Sequence, residues 1–171
     1  MIFVGSKAPE WAGTIYSNGE KKTVSSEELS GSWYVIYWWP FDFTGVCNSE
    51  ILGFQELESE FSDLGVRLLG ASCDSFFSHS KWFADADSFP NGAPGHDMIA
   101  DNTHAISEAF GVYLENIGAA ARATVLVDPN GVVQSVGANF LPVARDPNDV
   151  LTTAKAFIQG GACTLPGRSS L

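Results

Sequence analysis

The 171-residue sequence predicts an α/β fold, a central mixed β-sheet flanked by helices, on three observations. Continuous apolar runs of strand length alternate with stretches whose apolar residues recur at three- and four-residue intervals. Late in the chain, a turn sequence joins two strand-like runs as an antiparallel hairpin. A hydrophobic content of 45%, in a chain of this length, fills one substantial core and not two.

The elements follow in order. Trp33-Tyr34-Val35-Ile36-Tyr37-Trp38-Trp39 is a β-branched and aromatic run without polar alternation, as expected of a strand covered on both faces, and Pro40 ends it. From Cys47 onward, Ile51, Phe54, Leu57, Phe61 and Leu64 place one apolar stripe on a helix that stops near Gly65. Residues 66–72 read as a second buried strand. A helix around residues 79–84, a short strand at 98–100 and a helix over about 104–110 continue the alternation. Residues 123–127 and 132–136 flank the turn Asp128-Pro129-Asn130-Gly131. In the last helix Asp146 can cap, Pro147 suits the first turn, and Val150, Leu151, Ala154, Phe157 and Ile158 form the buried face before Gly160-Gly161. The breaker-rich segment 88–95 is predicted to be exposed, and residues 163–171 to be a mobile tail. This order is thioredoxin-like, with one domain over residues 1–158 and a C-terminal tail over 159–171.

Nine basic against twenty acidic residues leave a net charge of −11, which argues against nucleic acid or an anionic membrane as partner. The start of the chain has no basic segment leading into an apolar one, and no apolar run approaches the roughly 20 residues of a membrane span. A cytoplasmic protein is the expectation. Cys47, Cys73 and Cys163 are too few for a secreted disulfide framework and form no zinc-type pairs. His79, His96 and His104 show no metal-ligand spacing either, so neither metal nor organic cofactor is expected.

Cys47 stands between a strand and a helix start, where peptide N–H groups and the helix dipole favour a charged sulfur over a thiol. A free cysteine is also a common apolar filler, and Thr44 can be simply the helix cap and Pro40 simply the strand terminator. Arg122, in an otherwise apolar stretch, is either paired in the interior or snorkels to the surface. Glu50 lies one turn beyond Cys47, where it complements the dipole or pairs with a cation.

Pro40-x-x-x-Thr44-x-x-Cys47 resembles the active-site signature of the peroxiredoxins, typical two-cysteine group. The resemblance is collinear through residues 74–79, 100–104, 122–131 and 141–146. It implies a thioredoxin-like fold with peroxiredoxin-type N- and C-terminal extensions, and a thiol peroxidase acting on hydrogen peroxide and small organic hydroperoxides. By the resemblance Cys47 is the peroxidatic nucleophile, Thr44 bonds the peroxide oxygens, Pro40 shields the pocket and Arg122 addresses sulfur and substrate. Glu50 and Arg145 support that arginine. Cys163 matches the resolving cysteine, which implies at least a homodimer and, in the family, rings such as decamers. A dithiol reductant, thioredoxin or a flavoprotein disulfide reductase, closes the cycle. A redox relay, a holdase oligomer or a one-cysteine peroxidase are the alternatives, and the absence of Cys-x-x-Cys weakens a disulfide oxidoreductase.

Complete ionisation of an ordinary cysteine gains only roughly 30-fold at neutral pH, and falling nucleophilicity returns around tenfold of that. Oriented donors around the O–O bond must therefore supply most of any rate. The chain departs from the family in four places. Asn48-Ser49 stand where many relatives have proline and threonine, Ala162-Cys163-Thr164 replaces Val-Cys-Pro, and neither a Gly-Gly-Leu-Gly loop nor a Tyr-Phe tail is present. By the resemblance, the last two departures imply resistance to overoxidation.

Overall fold

The computed structural model describes residues 2–160. Its strands are β1 (Ala12–Ser17), β2 (Glu20–Ser25), β3 (Trp33–Trp38), β4 (Val66–Ser72), β5 (Asp97–Ala100), β6 (Tyr113–Leu114), β7 (Ala119–Ala120), β8 (Arg122–Val127) and β9 (Val133–Asn139). Its α-helices are α1 (Gly45–Glu56), α2 (Glu58–Asp63), α3 (Phe76–Phe83), α4 (Ala105–Ala109) and α5 (Pro147–Gln159). Seven strands form one sheet in the order β2-β1-β5-β4-β3-β8-β9, and β6 and β7 form a separate ribbon. β4 runs parallel to β3 and β5, while the remaining neighbours in the sheet are antiparallel.

β3 lies deep in the sheet because both of its faces are apolar. Tyr34, Ile36 and Trp38 enter one core cluster with Ile106 and Phe110 from the α4 region. Val35 and Tyr37, followed by Trp39, enter the other with Ile51, Phe54, Trp82, Phe83 and Leu151 from α1, α3 and α5. Helices thus flank a central mixed sheet, a thioredoxin-like α/β fold. At Gly70 of β4 a Cβ would lie 2.4 Å from Met98 Sδ and 2.9 Å from Trp39. Only glycine lets that second cluster close over the strand.

The structure redraws several expected boundaries. The hairpin β1–β2 was not anticipated, although Asn18 (φ 50°) and Gly19 (φ 86°) form its turn and Asn-Gly is a strong hairpin signal. Glu20, Lys21 and Lys22 hid β2, because an edge strand can carry charge on both faces. The helix expected to run to Gly65 breaks at Leu57, whose φ of −100° and ψ of 2° separate α1 from α2. α3 starts at Phe76, where Ser75 accepts from the Ser78 amide as N-cap, and β9 continues to Asn139. Segment 88–95 is largely exposed, except that Phe89 and Pro94 are buried anchors. Asp146 caps α5 as expected, accepting from the Asn148 amide. The tail expectation and Cys163 lie outside the described residues.

Candidate active site

The loop between β3 and α1 is tied down from below. Asp42 accepts hydrogen bonds from Trp39 Nε1 (2.9 Å), Ser78 Oγ (2.7 Å) and His79 Nδ1 (2.8 Å), and its amide donates to Asp74 (3.0 Å). Burial, and then the neighbouring Asp42 carboxylate, hold the Asp74 carboxyl above its usual range. With Asp42 pinned, Phe43 turns into the left-handed region at φ 58°, a strained conformation for a bulky residue. None of this network was anticipated, since apart from Trp39 its partners, on α3 and just after β4, lie more than thirty residues away.

Thr44 is the N-cap of α1 by backbone geometry, but its side chain does not cap. Thr44 Oγ1 instead donates to the Phe41 carbonyl at 2.9 Å, which leaves its lone pairs open. Pro40 is buried at the end of the strand run. Cys47 is the third residue of α1, 1% exposed, in the turn where amides lack helical acceptors.

Arg122 does not snorkel. It is 5% exposed, and its Nη1 donates to Cys47 Sγ (3.4 Å) and to Glu50 Oε2 (2.5 Å) while Nε donates to the Leu141 carbonyl (2.8 Å). Glu50 Oε1 accepts from the amide (2.9 Å) and Nε (3.1 Å) of Arg145. Arg145 also donates to the carbonyls of Ala123 and Trp38 and to Thr124 Oγ1, with its guanidinium 5.5 Å from the Tyr37 ring centroid. Burial pushes the Arg145 guanidinium below its ordinary range, and the Glu50 carboxylate opposes that shift. The structure therefore brings Cys47, Glu50, Arg122 and Arg145 into one buried chain of contacts, with Thr44 and Pro40 in the loop that leads to it. The carboxylate is saturated by two cations, so it does not face the sulfur as an unpaired charge. Arg122 and Arg145 also line a cavity of about 280 Å³ with residues of β9 and the start of α5.

Cys73 is only half-buried, and its sulfur lies 3.7 Å from Ser107 Oγ. Burial, with the Asp101 and Asp74 carboxylates, pushes its thiol up to about 11. It is thus expected to resist iodoacetamide in the native protein at pH 7.5, with a labelling rate that climbs about tenfold per pH unit up to pH 9.5. A plateau below pH 9, followed by peptide mass spectrometry, would contradict a protonated thiol. His79 and His96 are buried in hydrogen bonds, to Asp42 and the Ile99 carbonyl for the first, and to Tyr37 and Glu58 for the second.

Fold and site define a class: a thioredoxin-fold protein whose buried cysteine sits in the first turn of a helix, against an arginine that a carboxylate holds in place. Residues 4–136 match the AhpC/TSA family model, and the chain belongs to that family, the peroxiredoxins. It is 39% identical over 157 residues to the mouse mitochondrial thioredoxin-dependent peroxide reductase, covering 90% of this chain and 60% of that protein. The chain thus spans about 60% of the length of that curated relative. Among solved structures, Mycobacterium tuberculosis AhpC is similar at a TM-score of 0.85 and 32% identity, covering 95% of this chain and 97% of the other. The reduced 2-Cys peroxiredoxin of Plasmodium vivax is similar at 0.87 and 29%, covering 92% and 82%.

Proposed function

We propose that this chain is a thiol-dependent peroxidase that reduces hydrogen peroxide and small organic hydroperoxides. The observation that carries the reading is Cys47 Sγ in the first turn of α1, 3.4 Å from an Arg122 guanidinium bridged to Glu50. The Cys47 thiolate attacks the distal oxygen of the hydroperoxide. An S–O bond forms as the O–O bond breaks, sulfur gives up two electrons, and the leaving oxygen takes a proton to depart as water or alcohol. Arg122 offers N–H groups to the sulfur and the oxygens as charge moves along that line, where a fixed donor is worth most. Thr44 Oγ1, already donating to Phe41, accepts the hydroperoxide O–H and sets the direction of approach. Pro40 keeps water from the pocket. Glu50 and Arg145 are positioning residues that fix the Arg122 fork.

The sulfenic acid is resolved by Cys163, which forms the S–S bond and releases the oxygen as water. We assign residues 1–158 to the peroxidase domain and residues 159–171 to the tail that carries this cysteine. Resolution between subunits asks for a homodimer, and a ring of dimers is compatible with it. An external dithiol, thioredoxin or a flavoprotein disulfide reductase, returns both cysteines to thiols. The relatives named as thioredoxin-dependent peroxide reductases support the first of these. Such a reductant is available in cytoplasm and mitochondria alike, and those relatives carry the mitochondrial designation.

Rapid mixing of reduced protein with peroxide tests the cycle through the fluorescence of Trp38 and Trp39, which precede the active-site loop. A phase whose rate scales with peroxide concentration is expected, and its absence would overturn the peroxidase reading. Cys163→Ser is expected to keep that first phase and to lose disulfide-linked dimers on a non-reducing gel. Persistence of the dimers would remove Cys163 from the resolving role.

A further inference from the structure

A disulfide requires two sulfurs within about 2.05 Å of each other. Cys47 Sγ is buried in the first turn of α1, so no second cysteine side chain reaches it while that turn stays in place. Whatever holds the turn therefore governs passage from sulfenic acid to disulfide. Two of its hydrogen bonds are local, from the Asn48 amide to the Thr44 carbonyl and from Ser49 Oγ to the Gly45 carbonyl. Besides the bond from Arg122 Nη1 to the Cys47 sulfur, a side-chain bond crosses to a distant segment: Asn48 Nδ2 donates to the Ser88 carbonyl at 2.9 Å. The far end of that bond is well anchored. Ser88 donates through its amide and hydroxyl to Asp85, and Phe89 is buried against Trp82 and Phe83 with ring centroids 5.4 and 5.2 Å away.

We propose that Asn48 is a tether that sets the opening rate of the α1 first turn, and so divides oxidised Cys47 between disulfide formation and further oxidation. The proposal rests on the peroxidase reading above. In the competing step a second hydroperoxide gives one oxygen to the sulfenic sulfur, which becomes sulfinic acid while the hydroperoxide is reduced to water or alcohol. Proline, which many relatives carry at this position, has no side-chain donor, so this tether is a feature of Asn48 itself. Gln55 supplies an internal control. Its Nε2 donates to the carbonyls of Gly92 and Ala93 in the same segment, but it lies eight residues beyond Cys47, about 12 Å down the helix axis.

The test compares wild type, Asn48→Ala, Asn48→Asp and Gln55→Ala. In the reduced proteins, amide hydrogen exchange at residues 45–49 is expected to quicken roughly 3- to 10-fold in both Asn48 variants, the size of one net hydrogen bond, with unchanged exchange in β3 and β4. In rapid mixing, the peroxide-dependent phase should keep its rate. The later, peroxide-independent phase of disulfide formation should quicken by the same factor, and mass spectrometry should find less Cys47 sulfinic acid. Gln55→Ala should match wild type in all three. Unchanged exchange and unchanged second phase in the Asn48 variants would overturn the tether, as would equal acceleration in Gln55→Ala, which would locate the control in the loop. Absence of the first phase in wild type would instead overturn the peroxidase reading and leave the exchange comparison to decide the tether.

Discussion

Cys47→Ser is expected to reduce hydroperoxide consumption to the uncatalysed background, measured as residual peroxide in the presence of excess dithiol. The substitution keeps the size of the side chain and its place against Arg122, so the fold and the donors remain. It removes a sulfur that can carry an oxygen atom through an S–O bond. A serine hydroxyl holds its proton far more tightly and offers no comparable oxidised state. Cys73 cannot take over, because its thiol is pushed up to about 11 and lies beside Ser107, and no arginine among the described residues bonds to it. Retained peroxide consumption in Cys47→Ser would sink the assignment. The background in this variant also measures what the arginine and loop achieve without the nucleophile.

Glu50→Gln is expected to have the largest effect on stability. Glu50 is 2% exposed and bridges two guanidinium groups that are themselves buried. The pair interaction is strongly offset by desolvation while intact, but removing one partner leaves the other charge uncompensated, at a cost of about 3–5 kcal/mol. Here one neutral amide would face two cations, and Arg145, already held down by burial, would lose the carboxylate that opposes that shift. The amide retains some hydrogen bonding, so a loss of about 3 kcal/mol is expected, read as a urea midpoint lowered by about 1–2 M. Peroxide reactivity should fall as well, because Arg122 loses the anchor that aims Nη1 at the sulfur. A midpoint within about 0.3 M of wild type would show that the guanidiniums are held by their carbonyl acceptors alone.

Much of the site was legible before any coordinates. Cys47 at a strand-to-helix junction is a local pattern, and local patterns survive folding because peptide geometry within a few residues dictates them. Read from its own neighbours, Arg122 stayed ambiguous between pairing and snorkelling, and only the family resemblance set it at the sulfur, since its partners Cys47, Glu50 and Leu141 all lie far from it along the chain. The Asp42–His79 network left no trace for the same reason. Thr44 shows the complementary limit. Its position as N-cap followed from sequence, but the hydroxyl chose the Phe41 carbonyl, a choice set by the turn at Phe43. The break at Leu57 was invisible because apolar spacing continues across it, and periodicity registers a helix face, not a change of axis.

By itself, then, the sequence determined the main alternation of strands and helices from Trp33 onward, the cap at Asp146, the helix stop near Gly65, and the presence of a cysteine where a helix begins. Those properties depend on neighbours within about one turn or one pleat. Tertiary structure decided what the local pattern left open: that Arg122 is buried against Cys47, that Glu50 is saturated by two arginines, and that Asn48 is bonded to Ser88. The physical reason is that a charge or amide in the interior must find a partner wherever the packed sheet and helices bring one, and the distance along the chain places no constraint on which residue that is.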